Sequence, residues 1–257
     1  MTGIAVVGVT ASGKSELAVL LAKRHSGEVI SCDSMLVYRG CDIGTAKPSL
    51  DEMGGIKHHL VDILDPEVPF NAADFSALCE RAEGDILSHG KLPIICGGTG
   101  LYLDCFLRGG LPDELPKNDD VRKRLEDELL AVGAKEMHRR LMSVDKESAD
   151  AVHFNNTRRV IRALEIYELT GKTKTELDKL SPQRVSTKDY CVVALDYENK
   201  ALRAEMIERR VRKMFDMGLE EETRRLLSEG VFEKCAAAAQ AIGYKELFPY
   251  LEGREGR

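Results

Sequence analysis

Apolar and polar positions follow two rhythms along this chain. Ile4-Ala5-Val6-Val7 is a continuous apolar run of the length expected of a strand buried on both faces, and the leucine- and alanine-rich stretch Glu16 to Lys23 predicts a helix just after it. Glu28-Val29-Ile30-Ser31-Cys32-Asp33-Ser34 alternates as a strand that closes on a carboxylate. Met35 to Pro48 has neither period and predicts an irregular loop. His58 to Asp62 reads as a further short strand. Ala72 to Ser88, with Phe75, Leu78, Ala82 and Ile86 at three- and four-residue spacing, predicts an amphipathic helix, and Leu92 to Cys96 returns as a strand ahead of Gly97-Gly98-Thr99-Gly100.

From Leu111 to about Lys188 only the helical rhythm remains. Asp119 or Asp120 is the expected cap of a helix carrying Val121, Leu125, Leu129 and Val132, and Thr157 the expected cap of another running from Arg158 to Leu169. Cys191 to Asp196 then resumes as an apolar strand, and Lys200 to Met217 is a long helix stopped by Gly218. Strands on both sides of a helical block imply an insertion into one sheet. The expected architecture is α/β, a parallel sheet flanked by helices and built from 1–112 and 189–257, with an all-helical subdomain at 113–188.

The first strand runs directly into Gly8-Val9-Thr10-Ala11-Ser12-Gly13-Lys14-Ser15, a complete G-x-x-x-x-G-K-[ST] match with a helix after it. Strand, glycine loop and helix N-terminus in that order make a phosphate-binding loop. Its glycines let the backbone wrap an anion, exposed amides and the helix dipole supply partial positive charge, Lys14 adds a full one, and the Ser15 hydroxyl is placed to hold Mg²⁺. Gly171-Lys172-Thr173 repeats the letters, but Ile166 stands where the first glycine should be, so Gly171 reads as a helix C-cap.

In a parallel sheet, ligands sit outside the carboxyl ends of the strands, which places Asp33 beside the phosphate loop as a candidate base or metal ligand. The Gly97–Gly100 turn lies at the same rim and lets the Thr99 hydroxyl approach a ligand. Asp196 resembles a second carboxylate of this kind but serves equally as a turn residue. Arg158, Arg159 and Arg162 fall on one side of their helix, as a phosphate-backbone contact or as a solvated face partnered by Glu165 and Glu168. The adjacent His58 and His59 point to opposite faces of a strand, which argues against shared zinc.

Composition narrows the setting. The chain has 257 residues, 43% of them hydrophobic, and a formal net charge of −6. Residues 1–107 hold 8 Lys and Arg against 14 Asp and Glu, so the acidic excess sits with the phosphate loop, and a polyanionic partner would meet the later segments. No apolar run approaches a membrane span. Seven scattered cysteines without a C-x-x-C pair favour reduced thiols, and the first strand leaves no room for a signal peptide, so a cytoplasmic protein is expected. A monomer is expected too, though nothing in the sequence fixes the oligomeric state. The chemistry at this point is some reaction at a phosphate or diphosphate near a carboxylate. A GTPase is disfavoured because Asn199-Lys200 lacks the following N-K-x-D aspartate, whereas a small-molecule kinase stays open.

The wording of the motifs goes further. GVTASGKS at Gly8–Ser15, Asp33-Ser34, Tyr38, Asp42-Ile43-Gly44-Thr45-Ala46-Lys47-Pro48, His58-His59-Leu60-Val61-Asp62, Ala73-Asp74-Phe75, Gly97 to Tyr102, Arg159 to Glu165 and Ala241-Ile242-Gly243-Tyr244-Lys245-Glu246 together resemble the tRNA dimethylallyltransferase family, in the family's order over almost the whole chain. The resemblance implies transfer of dimethylallyl from its diphosphate to N6 of the adenine beside the tRNA anticodon. Gly8, Thr10, Ala11, Ser12, Gly13, Lys14 and Ser15 would cradle the diphosphate, with Arg210 neutralising it and Ser15 holding Mg²⁺. Asp33 would be the base, and Thr10 and Thr99 the hydroxyls nearest the breaking bond. The tRNA anticodon loop would meet Asp33, Ser34, Met35, Leu36, Arg158, Arg159, Arg162, Gln240, Gly243, Tyr244 and Lys245. A relative acting on free adenylate and a tRNA-binding module with a vestigial loop are the rival readings. Family members usually continue past the segment matching Tyr250–Gly253 with a basic, tRNA-facing helix, whereas this sequence stops at Arg257.

Overall fold

A computed structural model describes residues 1–109, 116–180, 186–235, 237–251 and 253. Five strands, β1 (Gly3–Gly8), β2 (Gly27–Cys32), β3 (His58–His59), β4 (Leu92–Gly97) and β5 (Tyr190–Leu195), pair in parallel in the order β3-β2-β4-β1-β5. Parallel neighbours require crossover connections, supplied here by α1 (Lys14–His25), α2 (Leu50–Met53), α3 (Ala72–Ser88) and α4 (Gly100–Leu107). The α/β class read from the sequence is the one adopted. Ile4, Val6, Val29, Ile94 and Cys96 pack with Ala18 and Ala22 of α1. The alternate positions Ala5, Ile30 and Ile95 are fully buried on the other side, where α3 meets β2 and β4.

The chain divides into two compact units, Met1–Gly110 with Ser186–Arg257, and Leu111–Val185. The expected start of the insertion at 113 lies outside the described residues. The second unit contains α5 (Asp119–Val132), α6 (Ala134–Val144), α7 (Lys146–Ala151), α8 (Thr157–Thr170) and α9 (Lys174–Leu180), packed around Leu125, Met137, Leu141, Val160 and Leu164. The first unit closes with α10 (Lys200–Asp216), α11 (Leu219–Ser228), α12 (Val231–Lys234), a 3₁₀ turn at Ala238–Gln240 and α13 (Phe248–Leu251).

Local chemistry moves some expected boundaries. The cap of α5 is Asn118, whose side chain accepts from the Val121 N–H, which leaves Asp119 and Asp120 in the first turn to complement the helix dipole. Asn156 likewise replaces Thr157 as the cap of α8. Gly171 ends α8 in a left-handed conformation with its N–H on the Tyr167 carbonyl, the C-cap expected of it. The strand expected over His58 to Asp62 covers only two residues, because Leu60 and Asp62 take positive φ of 61° and 54° and leave the pleat. The two histidines go separate ways, His58 Nδ1 to the Ile56 carbonyl and His59 Nε2 to Glu28.

Candidate active site

In register, Val7 and Cys32 both stand opposite Gly97, so β1, β2 and β4 end level with one another. Each runs into a turn at that rim. Gly8 must lack a side chain, since a Cβ there would sit 2.4 Å from the Leu195 carbonyl oxygen. Beyond it the Val9 N–H donates to that carbonyl at 3.3 Å, and Ala11 and Gly13 adopt left-handed backbone with φ of 64° and 80°. The Tyr197 hydroxyl donates to the Ala11 carbonyl and pins the bend. Helix α1 starts at Lys14 with no side-chain cap, so the positive end of its dipole opens onto the loop. The Ser12 Oγ is buried there without a partner. These features describe an anion cradle that still has donor capacity to give.

Lys14 Nζ donates to the Val9 carbonyl at 3.1 Å and so lies across the loop. Burial pushes its pKa below the ordinary lysine value and the nearby Arg210 guanidinium adds to this, while Cys96 and Asp33 pull the other way. Arg210, projecting from α10, is itself lowered by burial and opposed by Asp33. Two cations and one carboxylate from three distant parts of the chain thus share one electrostatic neighbourhood. Asp33 directly follows β2, and its Oδ1 accepts the Met35 N–H at 2.8 Å, which orients the carboxylate.

The second glycine turn closes the other side. A Cβ on Gly97 would lie 2.0 Å from the Cys32 carbonyl oxygen, and one on Gly98 would come within 3.9 Å of Lys14 Cε. Thr99 donates its N–H to the Cys32 carbonyl at 3.3 Å and leaves its hydroxyl unused as a helix cap. Between the turns lies a small pocket lined by Val7, Gly8, Cys32, Thr99 and Leu103 among others, apolar apart from the threonine. Thr10 is exposed at the loop, and Ser15, also exposed, has its hydroxyl beside the Cys96 thiol. Asp196 is solvent-exposed and turned onto its own neighbour, accepting the Tyr197 N–H.

The residues expected to meet tRNA are sorted by their surroundings. Ser34, Met35 and Leu36 are half-buried next to Asp33, and Met35 packs on a cluster of Tyr38, Met214, Phe232 and Tyr244. Gln240 and Lys245 are exposed. Tyr244 is not available to RNA through its side chain. It is fully buried, and its hydroxyl donates to Glu222 at 2.7 Å, because the ring fills the space that Gly44 leaves open. Gly243 lies against the Gly44 carbonyl. On α8, Arg158 and Arg159 are exposed, whereas Arg162 donates to Glu165 and to the Pro116 carbonyl, both at 2.8 Å. Glu165 is completely buried and also accepts from Arg122 and the Asn118 N–H. Burial would raise its pKa, and those hydrogen bonds outweigh burial and lower it. Arg162 is therefore a member of a buried ion cluster, the partnered face that the sequence left as an alternative.

Comparison with known proteins decides the family. A sequence model described as IPP transferase matches residues 36–257, and one described as isopentenyl transferase matches 1–64. The tRNA dimethylallyltransferase of Halalkalibacterium halodurans is 43% identical over 250 residues, covering 97% of this chain and 79% of that protein. The chain belongs to the tRNA dimethylallyltransferase family. The Geobacillus kaustophilus member is 45% identical over 249 residues, covering 97% and 78%. Among solved structures, a full-length tRNA isopentenylpyrophosphate transferase from Bacillus halodurans superposes with a TM-score of 0.66 at 40% identity, over 98% of this chain and 78% of that one. A eukaryotic dimethylallyltransferase acting on tRNA does so with a TM-score of 0.69 at 30% identity, over 98% and 63%.

Two residues that the family motifs did not single out carry much of this geometry. Tyr197 could have been suspected, since it follows β5 at the same rim as the loop it braces. Glu222 sits in the run Glu220-Glu221-Glu222 and had nothing in the sequence to distinguish it. Lys47, quoted only as part of a motif, is a buried hub that donates to the Tyr38 carbonyl at 2.8 Å and to both Asp42 and Asp62. Among the described residues no cluster of three or more His, Cys, Asp or Glu could hold a metal, and no helix is long and apolar enough to cross a membrane.

Proposed function

We propose that this chain transfers the dimethylallyl group of dimethylallyl diphosphate to N6 of the adenine next to the anticodon in tRNA, giving N6-isopentenyladenosine and diphosphate. The observation that carries this reading is the meeting of Lys14, Arg210 and Asp33 at an uncapped helix N-terminus beside an apolar pocket. The first two, with the amides of Gly13 to Ser15 and the Ser12 hydroxyl, match a diphosphate. The pocket, through Val7, Cys32 and Leu103, matches the five-carbon tail.

In the reaction the N6–C1 bond forms as the allylic C1–O bond breaks, the electron pair leaves with the diphosphate, and the N6 proton passes to Asp33. An exocyclic adenine amine is a poor nucleophile, so a base within hydrogen-bond reach and a stabilised leaving group are the main contributions available to the protein. Lys14 and Arg210 bear the developing charge, and the hydroxyls of Thr10 and Thr99 orient the bridging oxygen. Ser15, exposed in the first turn of α1, would be the residue to hold Mg²⁺ through its hydroxyl. When bound it supplies further positive charge at the leaving group.

The acceptor adenine must leave its stack to reach such a pocket, which suits a single-stranded loop. Ser34, Met35, Leu36, Gln240, Gly243 and Lys245, with Arg158 and Arg159, are the proposed contacts. The test is mass spectrometry of nucleosides from unmodified tRNA incubated with the protein, Mg²⁺ and dimethylallyl diphosphate. Prenylated adenosine is expected with the native chain, and Asp33→Ala should lower its rate by about 10²-fold or more. Prenylation of free AMP with none of tRNA would replace this reading by the adenylate one.

A further inference from the structure

The buried carboxylate of Glu222 lies outside the chemistry just described, yet it collects four donors. Its Oε2 accepts the N–H groups of Asp42 and Ile43 at 3.2 and 3.0 Å, and its Oε1 accepts the Gly44 N–H at 3.0 Å and the Tyr244 hydroxyl at 2.7 Å. All four donors are neutral, and they come from two segments far apart in sequence. Where those segments meet, side chains have been removed. A Cβ on Gly44 would fall 2.1 Å from the Tyr244 ring, and one on Gly243 would fall 2.9 Å from the Gly44 oxygen. The loop held this way is the one that starts at Asp33, and its far end is fixed by Lys47. The second segment carries the exposed Gln240 and Lys245.

We propose that Glu222 is a positioning residue for the nucleic-acid substrate, holding loop 33–47 and segment 240–245 in one fixed relation so that both meet the same RNA. The inference rests on the tRNA reading above. Three consecutive amides converging on one carboxylate fix the backbone between them, and losing the bond to the Gly44 amide or the Tyr244 hydroxyl would leave a buried donor unsatisfied. The phosphate loop, braced separately by Tyr197 and Leu195, does not depend on this joint.

The experiment is a pair of steady-state titrations, one in tRNA and one in dimethylallyl diphosphate, on the native chain, Glu222→Gln and Tyr244→Phe. The glutamine keeps the shape but turns an amide nitrogen toward N–H donors, whereas the phenylalanine deletes one donor only. Glu222→Gln should raise KM for tRNA about tenfold, and Tyr244→Phe about threefold, with KM for the diphosphate changed by less than about twofold. An unchanged tRNA KM in Tyr244→Phe and in any folded Glu222→Gln would overturn the proposal. So would a parallel rise in both KM values, which marks general loss of structure. A native chain that prenylates no tRNA refutes the functional reading itself, before any variant is considered.

Discussion

Arg159 and Arg162 stand three residues apart on α8 and face different surroundings. Arg159 is exposed, so Arg159→Ala should weaken tRNA binding and flatten its dependence on salt by about one counterion while leaving the melting temperature unchanged. Arg162→Ala should do the reverse. It leaves the buried Glu165 short of a partner, and because both arginines of that cluster are partly in water the cost should be about 2–3 kcal/mol, below that of a fully buried pair. Filter binding across a salt series and thermal unfolding separate the two. The difference could not be read from α8 alone, where the three arginines share a side, because Asn118 and Arg122 reach Glu165 from around the start of another helix. The expectation at Lys14 and Ser15, by contrast, rests on immediate neighbours in the chain. The G-x-x-x-x-G-K-[ST] pattern is made of consecutive residues, so its grounds are local.

Strand ends decide the geometry of the site at the scale of elements. The carboxyl ends of β2 and β4 touch backbone to backbone at Gly97, so Gly97→Ala would drive them apart beneath Asp33 and Thr99. It should destabilise the protein by about 1–3 kcal/mol as an overpacking change and lower the prenylation rate of the folded fraction by more than the loss of folded protein explains. Urea unfolding and rate measured on one preparation test it. Elements with a clear period, such as α3 and β4, were predicted almost to the residue. The errors fell where a local competitor acts on one or two residues. Asparagine outbid aspartate and threonine for the caps of α5 and α8, and left-handed backbone at Leu60 and Asp62 cut β3 short. Side-chain capping and single positive φ values leave no periodic trace in a sequence.

On the scale of the whole molecule, the order β3-β2-β4-β1-β5 is what brings Gly8, Asp33 and Thr99 to one rim and lets α10 deliver Arg210 to it. Strand order depends on contacts between distant segments and was not among the expectations drawn from the sequence, and Arg210 entered them only through the family resemblance. The opposite end of the sheet carries a different cluster. Glu28, buried at the start of β2, accepts from His59 and Lys91, both at 2.6 Å. Burial alone would raise its pKa; the Lys91 and His59 hydrogen bonds prevail and hold it at about 2 against an ordinary 4.5. A depressed carboxylate contributes stability above its unfolded value that disappears as pH falls through the folded one. Unfolding free energy should therefore drop between pH 4.5 and about 2, by on the order of 3 kcal/mol from this group, and Glu28→Gln should remove that slope in acid titrations followed by circular dichroism. Glu28 lies near the start of β2 and Asp33 just past its end, roughly 16 Å apart at the rise of an extended chain. Changes at that distance, with no shared partner, combine without interfering. Tolerance of acid and the turnover proposed for Asp33 are thus expected to vary independently, so that an alteration at the first residues of β2 adjusts the one without retuning the other.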